Sequence, residues 1–326
     1  MDLESSRCLD ICITADICNA IFPEHRDKRR WDNIICGAIR FKETILNILD
    51  DFSVPPKITW FVRADPWMEK RFGSYTFLFE RHGVHFARLA ASGDEIGWHP
   101  HLDIRNMKTE IKQLPAIAGL VRRFFPVTSV RIGEAFHSSE LIRHVNKLGF
   151  TADSTALPGR YNIESRTPFD WRNTPEKPYK PDNYDYRKEN KNSTAGILEI
   201  PFTMLPIRLP YDKPGASSRY MNLSYRRNLF EEGIMSKREW VSPIVAIAHP
   251  AELDPPRGYS EKHPILSFNE DEPNHNLKFL LYRLRMLGFK VRYRCIREIP
   301  SLFEKDTSVK AYMHEKMSDT ITRRIV

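Results

Sequence analysis

The chain alternates short apolar runs with amphipathic stretches from its beginning. Residues 8–17 (CLDICITADI) are rich in β-branched side chains and alternate, which predicts a strand ending near Asp16. Over residues 31–52, Ile34, Ala38, Phe41, Ile45 and Ile48 recur at three- and four-residue steps, the period of a helix with one buried face. Pro55-Pro56 breaks that pattern. Residues 57–64 (KITWFVRA) are mostly apolar, as a strand buried on both faces should be. A helical stretch around 86–92 stops at Gly93, and residues 95–98 form a third strand that delivers His99. Residues 107–125 carry helical periodicity, which Pro115 should interrupt or restart. Residues 129–132 predict a short strand. Residues 138–148 predict a helix with Leu141, Ile142, Val145 and Leu148 on its inner side and Gly149 at its end, and 150–155 start a further strand.

Residues 158–195 break the alternation. They are rich in Pro, Asn, Asp, Tyr and Arg without a sustained period, long for a loop in a compact domain. Tyr161, Phe169, Trp171, Tyr179, Tyr184 and Tyr186 argue against simple disorder, so the segment is expected to be an ordered excursion over one end of the fold. Regular pattern returns with strands at 197–204 and at 243–248, the latter ending at His249. It continues with a helix at 274–287 bearing Leu277, Leu280, Leu281, Leu284 and Leu287 on one stripe, then a last strand at 290–293. Such alternation predicts an α/β fold on a parallel sheet, one domain over residues 1–304, with 305–326 as a polar tail or terminal helix.

Composition narrows the setting. No apolar run approaches the ~18–20 residues that a membrane span needs. The polar, acidic start of the chain lacks the shape of a secretion signal, so a soluble, cytoplasmic protein is expected. The five cysteines, Cys8, Cys12, Cys18, Cys36 and Cys295, are odd in number and form no Cys-x-x-Cys hook, which predicts reduced structural thiols. The net charge of +8 and pI near 9.2 come with no nucleic-acid signature. An anionic substrate, such as a nucleotide-linked or acidic sugar, is the more fitting partner.

Candidate chemistry gathers where predicted strands end. Gly93-Asp94-Glu95-Ile96-Gly97-Trp98-His99-Pro100-His101-Leu102-Asp103 runs from a strand into two imidazoles and a carboxylate, ligand types for a borderline divalent metal. Asp16, His99, Arg131 and His249 all fall at or just past strand ends, where α/β folds place their chemistry. Asp153 and Glu199 are further site candidates; a carboxylate within Leu-Glu-Ile-Pro is costly to bury unless paired. Trp98 and Trp171, and also Trp60, could stack on a sugar ring, although core packing is the commoner use of Trp. His137 and His144 are expected on helix surfaces.

These residues resemble the polysaccharide deacetylases of the NodB-like group of carbohydrate esterases. The resemblance runs from about residue 8 to residue 303 in motif order. Thr14-Ala15-Asp16-Ile17 stands at the family's T-F-D-D, and Glu95 through Asp103 at its Glu-Ile-Gly…His-x-x-x-His. Arg131-Ile132-Gly133-Glu134 stands at its Arg motif, and Ala248-His249-Pro250 at its late His. The resemblance implies a distorted (β/α) barrel of about seven parallel strands. It also implies metal-assisted N-deacetylation of a sugar or sugar precursor for a surface polysaccharide. Asp16 would be the base, Arg131 its holder, His249 the acid and His99 a ligand to a divalent metal, usually zinc. Two positions depart from the family: its metal carboxylate is Ile17 here, and its second His is Asp103. Asp16, His99 and either His101 or Asp103 are the ligand candidates, with Pro100 favouring His101 through an extended backbone at His99. If Asp16 binds the metal, Glu134 or Asp103 is the alternative base. The same departures keep open another C–N or glycosidic hydrolase on this barrel, or an inactive carbohydrate-binding homologue.

Overall fold

The computed structural model describes residues 7–18, 28–164, 167–190, 196–209, 212, 218–253 and 263–305. Strand β1 (Cys8–Ile17) leads to helix α1 (Lys28–Ile45), β2 (Ile58–Arg63), α2 (Pro66–Phe72), α3 (Phe77–Ala91) and β3 (Glu95–His99). Helix α4 (Met107–Phe124), β4 (Ser129–Val130), α5 (Ser139–Lys147) and β5 (Ala152–Asp153) follow. Two short antiparallel pairs, β6 (Tyr161–Asn162) with β7 (Phe169–Asp170) and β9 (Met204–Leu205) with β10 (Arg219–Tyr220), flank β8 (Leu198–Glu199). The described chain ends with α6 (Arg227–Ser236), β11 (Ile244–Ala248), α7 (Glu272–Met286), β12 (Lys290–Tyr293) and a short helical segment at 299–305.

The main sheet is wholly parallel, in the order β11-β1-β2-β3-β4-β5-β8, with β12 as an eighth strand on β1. One edge of β1 is shared: β12 pairs with Cys8–Ile11 and β11 with Ile11–Ala15. Between β8 and β11 the ladder is replaced by irregular chain. Thr203 donates its backbone N–H to the Val245 carbonyl, and Met221 and Leu223 exchange backbone bonds with Ile247. The distorted barrel expected from the motifs is the fold observed. Its strands are as apolar as burial on both faces requires: β2, β3 and β11 are buried at every position.

Three expectations need correction. Pro115 does not interrupt α4, which runs through it. One lost backbone bond is outweighed by a stripe of Ile111, Leu114, Ile117, Ala118 and Val121 packed on the sheet. The strand expected at 197–204 is two short pieces, β8 and β9, because the chain leaves the sheet at Pro201 to bridge toward β11. His137 is not on a helix surface but buried against Trp171 and Tyr186; it precedes α5, whose N-cap is Ser138. His144 lies part-exposed on α5. Of the polar tail at 305–326, only Lys305 lies among the described residues.

Candidate active site

The parallel sheet sends the carboxyl ends of its strands to one side, and there the candidate residues meet. Asp16 is the penultimate residue of β1, His99 the last of β3, Arg131 follows β4 and His249 follows β11. All four are buried. Arg131 is the hub. Its Nε donates to the Ser154 carbonyl at 2.7 Å, and its Nη2 to Ser154 Oγ at 2.9 Å. Its Nη1 donates to Thr14 Oγ1 at 2.9 Å and to Asp16 Oδ1 at 2.8 Å. The guanidinium lies between the rings of Phe61 and Phe202, at 4.3 and 4.2 Å from their centroids. Hydrogen bonds in its plane and aromatic faces above and below are the surroundings a buried arginine requires.

That hub divides the two oxygens of Asp16. Oδ1 is held by Arg131, while Oδ2 lies 3.7 Å from His99 Nε2 and 3.9 Å from His249 Nε2. Burial would raise the Asp16 pKa, but the Arg131 guanidinium, by charge and by hydrogen bond, with the imidazoles of His99 and His249 beside it, outweighs burial and holds the carboxyl below its usual range. Asp16 is therefore an anion at neutral pH, and a weak base.

The histidines are oriented from behind. His99 Nδ1 donates to the Arg131 carbonyl at 2.7 Å, which leaves the Nε2 lone pair facing the cluster. Burial lowers the His99 pKa despite the nearby Asp16, so the ring is neutral. His101 Nε2 lies 3.0 Å from His99 Nε2. Its ring fits only because residue 133 is glycine: a Cβ there would stand 2.3 Å from His101 Cδ2. His249 Nδ1 bonds Glu252 Oε1 at 3.0 Å, and Glu252 also accepts from Asn222 Nδ2 at 2.9 Å. Burial works against protonation of His249, but the Glu252 carboxylate, by charge and by hydrogen bond, and then Asp16, raise its pKa above the ordinary imidazole value.

The other candidates divide. Glu134 sits in a turn where it and Ala135 take left-handed backbone angles, φ 56° and 54°. Its side chain is half exposed, 3.9 Å from His101 Nδ1. Asp103 turns away to cap the following turn at Arg105 N and to pair with the Arg105 guanidinium at 2.9 Å. Both line a cleft of about 280 Å³ together with His101, Arg63, Trp67 and Lys70. Trp98 and Trp60 are core residues instead of sugar platforms: both are fully buried, with indole N–H groups on the Ala64 carbonyl and on Asp94. Trp171 is likewise buried, its N–H on the Ala135 carbonyl, and it anchors the excursion. Asp153 and Glu199 lie behind Arg131. Asp153 Oδ2 accepts from His137 Nε2 at 2.8 Å, and Glu199 Oε1 accepts from the backbone N–H groups of Thr155 and Ala156. Burial, then the neighbouring Asp153, raises the Glu199 pKa well above the usual range.

The sequence reading missed Glu252, Thr14, Ser154 and Cys18. Glu252 stands three residues after His249, a spacing that could have flagged it. Cys18 joins His99 and His101 as one of two groups, among the described residues, whose ligand atoms lie within 4.8 Å of one another; the other is His137, Asp153 and Glu199. A thiol and two imidazoles are a zinc-type donor set, so the residues present fit a divalent metal.

No protein-family model matches the chain, and no curated protein matches it. Solved structures do. The fold is shared with a protein of Mycobacterium smegmatis assigned as a polysaccharide deacetylase, at a TM-score of 0.51 and 11% identity over 94% of both chains. Two further structures match at lower TM-scores. A Bordetella bronchiseptica protein assigned as a polysaccharide deacetylase involved in O-antigen biosynthesis gives 0.37, with 14% identity over 84% of this chain and 90% of that one. The peptidoglycan deacetylase PdaC of Bacillus subtilis, in a variant form, gives 0.41, with 10% identity over 94% and 97%. No described helix is long and apolar enough to cross a membrane.

Proposed function

We propose that this protein is a metal-assisted hydrolase of a non-peptide carbon–nitrogen bond, removing the N-acetyl group from a sugar or sugar precursor for a surface polysaccharide. The observation that carries the reading is the divided carboxylate: Asp16 has one oxygen fixed by Arg131 and the other facing both His99 and His249. The barrel shared with the Mycobacterium smegmatis protein and the motifs around Asp16, His99, Arg131 and His249 support the same reading.

Hydrolysis joins water to the acetyl carbon and breaks the C–N bond, giving acetate and an amine. Asp16 Oδ2 accepts the proton of the attacking water. Because Arg131 keeps that carboxylate weakly basic, the water must be acidified by other means. His99 and His101 would hold a divalent ion, which would supply that acidity and polarise the acetyl carbonyl. His249, protonated on Nε2 and fixed through Nδ1 by Glu252, donates to the departing nitrogen. The cleft lined by Arg63, Trp67, Lys70 and Glu134 receives the sugar, with the exposed Lys70 available to an anionic carrier, whereas Arg63 is committed to Asp65 at 2.6 Å.

The test is metal analysis of the purified protein with acetate release from a panel of nucleotide-linked and free N-acetyl sugars. Metal-dependent acetate release from one of them is expected. Substrate consumption without metal and without acetate would move the assignment to another hydrolase. Binding without turnover would leave a carbohydrate-binding protein.

A further inference from the structure

The family's metal carboxylate would fall on Ile17, and in this chain that side chain is turned into the hydrophobic core. Successive side chains of β1 alternate in direction. Ile17 is fully buried in the hydrophobic core, while Asp16 projects into the site. Position 18 shares the direction of position 16, and there the chain carries a cysteine. Cys18 is buried and in no disulfide. It stands within ligand range of His99 and His101, a group that does not include Asp16.

We propose that Cys18, with His99 and His101, forms the protein ligand set of the metal centre, and that Asp16 stays off the metal. Three arguments converge. A tetrahedral zinc with N at ~2.0–2.1 Å and S at ~2.3 Å has N–N and N–S edges of about 3.3 and 3.6 Å. The observed Nε2–Nε2 separation of 3.0 Å and the outer bound of 4.8 Å on the whole group need only small movements to meet them. A thiolate also restores the single negative charge that Ile17 removes, so the charge of the site is conserved. Finally, Asp16 already has an oxygen neutralised by Arg131, which makes it a poor anionic ligand and frees its other oxygen for proton transfer. Three protein ligands leave a fourth position open, as in catalytic zinc sites.

The inference rests on the hydrolase reading of this cluster, and its test separates the two because no substrate is involved. X-ray absorption of the zinc-loaded full chain should show one sulfur near 2.3 Å with nitrogen or oxygen neighbours at ~2.0–2.1 Å. The cobalt(II) form should show a near-ultraviolet thiolate charge-transfer band, lost in Cys18→Ser and lost in Cys18→Asp while the visible ligand-field bands of the latter persist. A zinc shell of nitrogen and oxygen alone overturns the proposal. So does a charge-transfer band that survives in Cys18→Ser, or failure of the native chain to hold one metal. The shell of the native protein decides the matter even if both variants fold poorly. Acetate release can fail while the sulfur shell stands, and the reverse can also occur.

Discussion

Two buried clusters of histidine and carboxylate lie on either side of Arg131, and similar side chains have opposite characters in them. In the His137, Asp153 and Glu199 cluster the polar groups are answered. His137 donates from Nε2 to Asp153 and accepts at Nδ1 from the Ser138 N–H; Asp153 also accepts from Thr155, and Glu199 takes two backbone N–H groups. Trp171 and Tyr186 seal it. In the Asp16, His99, His101 and His249 cluster, imidazole Nε2 atoms face one another and an anionic oxygen, and His101 opens to the cleft. What separates the two clusters is convergence of acceptors with access, more than residue type. A satisfied cluster stabilises the barrel; one arranged toward a shared centre is suited to a metal, a water and a substrate.

The comparison can be broken most strongly at Asp16. Asp16→Asn keeps the shape and the Arg131 contact but removes the base, so the acetate-release kcat should fall about 10²–10⁴-fold. Retention of more than a tenth of the native rate would remove Asp16 from the mechanism. Next comes Gly133→Ala, whose methyl group collides with the His101 ring. A loss of roughly 10–100-fold in activity, with weaker metal retention, is expected from that displacement; unchanged values would take His101 out of the site. Glu252→Gln acts more gently. Burial then depresses the His249 pKa without the opposing carboxylate, and activity that needs protonated His249 is lost at lower pH. The alkaline limb of kcat/KM should move to lower pH, and a fixed limb would exclude His249 as the acid.

The smallest effect belongs to the sealed cluster. Glu199 has a raised folded pKa, so its contribution to stability is fully present below the pKa of the unfolded carboxyl and is lost as pH rises through the folded value. Glu199→Gln mimics the protonated form. Its melting temperature should vary less with pH than that of the native protein across that window, with acetate release unchanged. A collapse of activity would place Glu199 in the reaction after all.

Much of this was legible in the sequence because a strand buried on both faces is a continuous apolar run whose end is easy to see. Asp16, His99 and His249 each terminate such a run, and parallel alternation puts those ends on one side. What stayed hidden depends on partners far along the chain. Thr14 and Ser154 become Arg131 ligands only when β1 and β5 lie on either side of it, separations of 117 and 23 residues. Nothing periodic marks residues 200–209 and 218–225, since the described chain there joins β11 by isolated backbone bonds in place of a ladder to the main sheet. His137 looked exposed because it adjoins an amphipathic helix, but the aromatic excursion that covers it lies more than 30 residues away. Cys18 was ambiguous by chemistry: a small buried thiol packs as well as it coordinates.

The clamp on Arg131 makes a symmetric group asymmetric. A carboxylate has two equivalent oxygens, but four hydrogen bonds and two aromatic faces fix the guanidinium so that the same one is always occupied. The remaining oxygen offers its lone pairs from one direction. On the proposed hydrolase reading, water would be deprotonated on only one face of a bound acetyl plane, and the barrel, built of chiral parts, would give the attack on a planar carbonyl a fixed handedness.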